Sequence, residues 1–248
     1  SSKAQLTYGI EAIDEATVHQ MDLSMRLPVT QAGALMPDAH LGYGLPIGGV
    51  LATKGVVIPY AVGMDIGCRM CLTVTDMPAS ALSRDRDRLR KIVRENSAFG
   101  KEVFSDPHDD AILERPEFGH LPLLRELHGL AARQLGSSGS GNHFVELGIV
   151  ELDAYSPDLN LGAGKYLGIL THSGSRALGA TVAQHYTDLA RQLCHLPKAA
   201  SHLAWLDLDK SEGQEYWLAM NLAGDFASAC HHDIHQRILK ALGAVSLR

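Results

Sequence analysis

An α+β fold is predicted by three observations: short apolar, β-branched runs broken by Gly and Pro, a charged amphipathic segment after the first strands, and two long helical patterns near the end of the chain. Between Glu11 and Leu27 the apolar residues Ile13, Met21 and Met25 recur at near-helical spacing, which predicts the first helix. GALMPDAHLGYGLPIGGVLAT follows as short apolar runs with Gly and Pro between them, so strands and tight turns are expected. GVVIPYAVGMDIGCRMCLTVT has the β-branched and small residues of buried strands, and the sheet is expected to centre on its first cysteine. SALSRDRDRLRKIVREN reads as a charged amphipathic helix. From Phe99 to Phe118 the Pro, Asp and His content predicts an irregular loop, and LPLLRELHGLAARQL a further helix. FVELGIVEL and KYLGILTH are strand patterns flanking a polar turn at Ser156 to Gly164. A helix from about Ser175 to Leu196 and another from Ser211 to about Leu242 complete the pattern, Ser211 and Gln214 having the spacing of a capping box.

A chain of 248 residues can bury a sizeable core, and its hydrophobic and charged fractions are those of an ordinary globular protein. The formal net charge of −6 argues against a broad basic surface, so a nucleic-acid partner would be expected to be held locally. Cys68, Cys71, Cys194 and Cys230 are too few for a disulfide framework, and neither a signal-peptide pattern nor a spanning apolar stretch is present, so no membrane association and a reducing cytoplasmic location are expected. Internal repeats and low-complexity tracts are absent from the sequence.

The chemistry concentrates in four side chains, each beside a glycine or at the end of an apolar run: Asp65 and Cys68 in AVGMDIGC, His143 in GSSGSGNHFVE, and His172 in ILTHSGSR. A thiolate, two imidazoles and a carboxylate make the mixed donor set that suits a borderline divalent ion. Any one histidine after a strand is more often a satisfied polar residue; three segments of one design outweigh that reading. GSSGSGN is small enough for backbone N–H groups to approach a phosphate, although by itself such a run is a flexible turn. SGSR places Arg176 at a strand-to-helix junction, where a guanidinium and helix N–H groups favour an anion, the plain alternative being a helix cap.

Other features point less far. Cys68 and Cys71 form a CxxC, but no second CxxC follows and Cys71 lies in an apolar run, so Cys71 is expected in the core. His231, His232 and His235 fall within about one helical turn; with no acidic or thiol ligand paired to them in the sequence, a solvated face is expected. Interleaved Asp in RDRDRLRK predicts an exposed, self-paired face rather than an RNA contact. Met21, Met25 and Met220 are expected in the core.

Taken in order, MPDAHLGYGLPIGG, AVGMDIGC, LGSSGSGNHFVELG and LTHSGSRALG resemble the RtcB family of RNA-splicing ligases, over nearly the whole chain. The resemblance implies a single RtcB-like catalytic domain over residues 1–248, with mixed buried strands carrying metal ligands and helices packed outside. It implies joining of an RNA 3′-phosphate or 2′,3′-cyclic phosphate to a 5′-hydroxyl with GTP and two Mn²⁺ ions, through a guanylylated enzyme. Asp65, Cys68 and His143 would hold one ion, and Cys68 and His172 would share a second with a further histidine. Asn142, His143, Phe144, Val145 and Glu146 would border the nucleotide, Arg176 would meet RNA phosphate, and Asp38 and His40 would support the site. An archease-type activator is an implied partner. The family's usual length is about twice this one, so the resemblance places the remaining histidine ligand, the guanylylated histidine and much of the guanine pocket outside these residues. The alternative is a shorter relative acting as a metal-dependent cyclic-phosphate hydrolase or a module that binds RNA ends.

Overall fold

The structure, a computed structural model, describes residues 4–247. In chain order its strands are β1 (Ala4–Thr7), β2 (Thr30–His40), β3 (Ile47–Thr53), β4 (Val56–Val57), β5 (Arg69–Pro78), β6 (Ala98–Phe99), β7 (Ser137–Gly139), β8 (Phe144–Leu152), β9 (Gly164–Ser173) and β10 (Leu206–Asp207). Its helices are α1 (Glu15–Met25), α2 (Pro59–Val62), α3 (Ala81–Arg84), α4 (Arg86–Glu95), α5 (Glu117–His120), α6 (Pro122–Gln134), α7 (Arg176–Leu193) and α8 (Ser211–Leu242). This is the α+β class that the sequence predicts. The elements form two compact units, one from the chain up to Met64 with Ala180–Asn221, the other from Asp65–Gly179 with the chain from Leu222.

In the first unit, β1 pairs parallel with β2, and β2 antiparallel with β3. Helix α1 starts after Asp14, whose carboxylate accepts from the Thr17 backbone N–H at 2.8 Å, so the helix begins later than Glu11. Ile13 still reaches the core, with Met21, Met25, Leu35 and Ala39. Gly33 permits this packing, because a Cβ there would overlap the Met21 and Met25 side chains. Pairing of β4 with β10 ties the end of this stretch to the segment before α8.

The second unit is organised by the antiparallel sheet β5-β9-β8. The central strand is β9, which carries His172, and not the strand after Cys68: β5 is an edge. The reason lies in the side chains. Leu167, Ile169 and Thr171 are wholly buried on alternate positions of β9, beneath α4 and α8. There Leu167 and Ile169 join Leu89, Ile92, Ile234, Ile238, Leu239 and Leu242 in one cluster. After α8 the chain returns to β5, where Val74 accepts from the Leu247 N–H at 2.7 Å.

Two local expectations differ from the structure. The run Gly136 to Gly141 is partly ordered, since Ser137–Gly139 form β7 and pair parallel with β6. At the start of α8 no capping box forms; the Ser211 hydroxyl donates to Glu212 at 3.1 Å, and the Gln214 N–H donates to the Lys210 carbonyl at 3.1 Å. Met21 and Met25 are buried as expected, and Met220 is half-buried. No helix of the described residues is long and apolar enough to cross a membrane.

Truncating Ile169 to Ala would open a cavity at the centre of the β9 layer. The expected loss is about 2–5 kcal/mol, read from urea unfolding followed by circular dichroism.

Candidate metal centre

Asp65 and Cys68 are set by a tight loop leading into β5. The Cys68 N–H donates to the Asp65 carbonyl at 3.1 Å, Gly67 has φ +75°, and Ile66 is buried as an anchor. A glycine is needed at position 67 because a Cβ would come within 2.9 Å of the Gly224 Cα, and the left-handed φ disfavours any other residue. Arg69 fixes the loop further, donating through Nε to the Gly67 carbonyl at 2.8 Å and through Nη2 to the Gly224 carbonyl at 3.0 Å. The Asp65 carboxylate accepts from the Ser175 N–H at 3.2 Å, and a Cβ on Gly174 would collide with it.

His143 and His172 meet this loop through their Nε2 atoms, their rings edge-on to each other at 5.1 Å between centroids. His143 Nε2 lies 2.8 Å from Asp65 Oδ2 and 3.4 Å from Cys68 Sγ, while His172 Nε2 lies 3.0 Å from the same sulfur. Both Nδ1 atoms face backbone carbonyls, Ser138 at 2.8 Å for His143 and Asn142 at 3.0 Å for His172. A carbonyl only accepts, so in the neutral rings both Nδ1 atoms carry the proton and both Nε2 atoms present a lone pair. Two lone pairs, a sulfur and a carboxylate thus crowd one small volume, with only the thiol proton to share among them. That arrangement suits a bound cation, and carbonyl-oriented imidazoles are the usual support of metal-ligating histidines. Burial, followed by the Asp65 charge, pushes the Cys68 thiol up to about 12. A cation in contact with the sulfur would reverse that tendency and hold the thiolate.

The remaining residues singled out from the sequence fall into separate groups. Phe144 stacks edge-on against His172, with ring centroids 5.8 Å apart, and Glu146 is exposed. Val145 instead packs on the cluster beneath the sheet, as strand alternation requires. Asn142 contributes its carbonyl to His172. Arg176 has φ +57° and is tethered, donating through Nε to Ser137 Oγ at 2.9 Å and through Nη2 to the Gly100 carbonyl at 2.6 Å. Burial lowers the pKa of its guanidinium. Asp38 and His40 are exposed at the end of β2 in the first unit, where His40 Nδ1 bonds the Asp38 carbonyl at 3.0 Å.

Three expectations change. His231 and His235 do not form a solvated face: they are 1% and 3% exposed, and only His232 faces solvent. Cys71 is half-buried and lies beside them rather than among apolar side chains alone. The RDRDRLRK face is only partly self-paired. Arg84 bonds Asp85 at 3.1 Å and Lys91 approaches Glu95 at 3.7 Å, whereas Arg86, Arg90 and Arg94 make no ion pair among the described residues and line a groove of about 360 Å³ with Leu89 and Val145. Sequence reasoning passed over Ser138, Gly174 and Ser175, which act through backbone atoms or through the absence of a side chain. Only the density of small residues in GSSGSGN and SGSR hinted at them.

The profile of the family described as "tRNA-splicing ligase RtcB" matches residues 20–116 and 123–247. The chain belongs to the RtcB family. RtcB relatives include the RNA-splicing ligase RtcB1 of Escherichia coli ATCC 25922, 31% identical over 86% of this chain and 53% of its own length. The RNA-splicing ligase RtcB of Escherichia coli K12 is 30% identical over 86% of this chain and 54% of its own. The tRNA-splicing ligase RtcB of Thermococcus kodakarensis is 29% identical over 87% of this chain and 53% of its own. The chain thus spans about half the length of the curated RtcB relatives it matches.

Gly174→Ala would push the Asp65 carboxylate out of this cluster without replacing a donor atom. If a divalent cation binds there, its affinity, read by isothermal titration calorimetry with manganese as the probe, should fall about 10–100-fold, with the far-ultraviolet circular dichroism unchanged.

Proposed function

We propose that this chain is the metal-bearing part of an RNA ligase that joins RNA 3′-phosphate or 2′,3′-cyclic phosphate ends to 5′-hydroxyl ends, using GTP and manganese. Support comes from family membership and above all from one observation: His143 and His172 both turn Nε2 toward Cys68 while their Nδ1 protons are donated to backbone carbonyls. Asp65, Cys68 and His143 would hold one ion, with Cys68 and His172 contributing to a second. Divalent ions bound there would supply positive charge for attacking and leaving oxygens in phosphoryl transfer. Around them, the chain's own groups hold and orient. The Ser175 N–H fixes the Asp65 carboxylate, and the Ser138 and Asn142 carbonyls fix the ring planes. Asn142, Phe144 and Glu146 would border the guanine nucleotide, with Val145 contributing backbone only. Arg176, desolvated at the start of α7, would present a fixed positive charge to an RNA phosphate. Asp38 and His40 retain a supporting role in this reading, as do a cytoplasmic location and an archease-type activator.

RNA would be engaged locally, as the net charge requires, along the unpaired Arg86, Arg90 and Arg94 of α4. Four-residue spacing puts these guanidinium groups on one helix face. Replacing all three with Ala should weaken single-stranded RNA binding and flatten the dependence of log K on log salt by about 2, from roughly 0.7 per phosphate contact. A fluorescence-anisotropy titration at several salt concentrations reads both effects.

The ligase reading itself is tested by manganese content and RNA chemistry together. Cys68→Ala should remove bound manganese, and RNA joining by a protein that includes the guanylylating histidine should require both GTP and Cys68. Manganese content unchanged by Cys68→Ala would overturn the site. Opening of a cyclic phosphate without GTP would replace the ligase with a hydrolase, and metal-dependent binding of RNA ends without turnover would replace it with a binding module.

A further inference from the structure

The two imidazoles of α8 that sequence spacing leaves without a thiol partner acquire one in the fold. Along β5 the side chains alternate, so that Met70 is exposed while Cys71 and Thr73 face α8. One donor atom each from Cys71, His231 and His235 lies within 4.8 Å of the other two. This group is distinct from the Asp65, Cys68, His143 and His172 centre, and shares no donor atom with it.

Hydrogen bonding fixes the protonation pattern of the pair. The Ser173 carbonyl faces His231 Nε2 at 3.2 Å, so this nitrogen carries the proton and Nδ1 presents a lone pair. That lone pair accepts from the Thr171 hydroxyl at 2.5 Å. Having donated its only proton, Thr171 Oγ1 accepts from His235 Nε2 at 2.8 Å, which leaves His235 Nδ1 as a second lone pair, 2.7 Å from the Thr73 hydroxyl. Each ring is therefore neutral, oriented by the proton on one nitrogen, with the lone pair of the other accepting from a Thr hydroxyl that a metal ion could displace. A carbonyl or hydroxyl behind an imidazole is the support that ligating histidines receive in metal sites. Neutral rings also agree with burial, which lowers the pKa of both histidines.

We propose that Cys71, His231 and His235 form a second metal site, taking one borderline divalent transition-metal ion, with zinc as the best match to a thiolate and two imidazoles. Binding would exchange the Thr hydrogen bonds at the two lone pairs for metal–nitrogen bonds, and the Cys71 thiol would release its proton to solvent; no electron moves. The fourth position would be filled by water or by one of the Thr hydroxyls. Such an ion would tie β5 to α8 directly behind β9, whose opposite face carries His172, and so stiffen the strand on which the first centre is built. The inference rests on the second group alone and does not require ligase activity.

The experiment uses the purified protein stripped with chelator, reloaded with zinc or cobalt, and passed over a desalting column before metal analysis. Cys68→Ala removes the first centre's thiolate and leaves the second group intact, so this variant should retain one zinc equivalent and, with cobalt, show a thiolate-to-cobalt band in the near ultraviolet. Both should disappear in the Cys68→Ala, Cys71→Ser double variant, and zinc should raise the melting temperature of the first protein and not of the second. His235→Gln in the Cys68→Ala background should also lose the zinc equivalent, which guards against a folding defect specific to position 71. No zinc and no cobalt band in Cys68→Ala, or a band that survives replacement of Cys71, would overturn the site. Loss of manganese from the first centre with zinc retained at the second, or the reverse, separates failure of this inference from failure of the ligase reading.

Discussion

Strand β9 is held by antiparallel ladders on both edges, and its register places His172 opposite Met70 on β5 and Phe144 on β8. The first candidate centre depends on that register. Side chains alternate along a strand, so a slip of one residue would turn His172 into the layer under α8 and bring Thr171 to the outer face. The apolar cluster around Leu167 and Ile169 opposes such a slip, because it would exchange buried aliphatic groups for Gly168 and Leu170. Packing on one face of the sheet thereby fixes the chemistry on the other.

Backbone groups do most of the remaining positioning. Carbonyls of Ser138 and Asn142 fix which nitrogen of each ring is protonated, and the Ser175 N–H fixes the carboxylate. These restraints come from short segments next to β7, β8 and α7, where glycines let the chain approach closely: Gly67 against Gly224, Gly139 beside Arg176 and His143, Gly174 beside Asp65. The result concentrates lone pairs and negative charge that would repel one another unless a proton or cation joined them. Family membership and local electrostatics are both compatible with a cation there.

The other face of β9 repeats the theme in a buried setting. Thr171, the neighbour of His172, links His231 and His235 through one hydroxyl, and Cys71 completes a sulfur and two nitrogens. Consecutive residues of one strand thus serve two polar groups on opposite sides of the sheet. Buried polar atoms are costly unless each finds a partner, and the Thr hydroxyls meet that demand for the imidazoles.

Local sequence pattern was enough for the class of the fold, the positions of α4, α6, α7 and α8, and the four side chains that the fold brings together in the first candidate centre. Periodicity marks an amphipathic helix, and Asp, Cys and His beside glycines mark ligand-bearing turns, because both signals lie in adjacent residues. The interleaved Asp pointed to a self-paired face, which Arg84–Asp85 bears out only in part, and could not tell that Arg86, Arg90 and Arg94 share a groove with Val145. Only the tertiary structure decided that β9 is central, that Ser138 and Asn142 orient the rings, and that His231 and His235 are buried beside Cys71. Those facts depend on pairing and packing between residues as many as 164 positions apart, from Cys71 to His235. A histidine at i, i+4 looks the same in the sequence whether it faces water or a strand, and what lies opposite is chosen by the sheet.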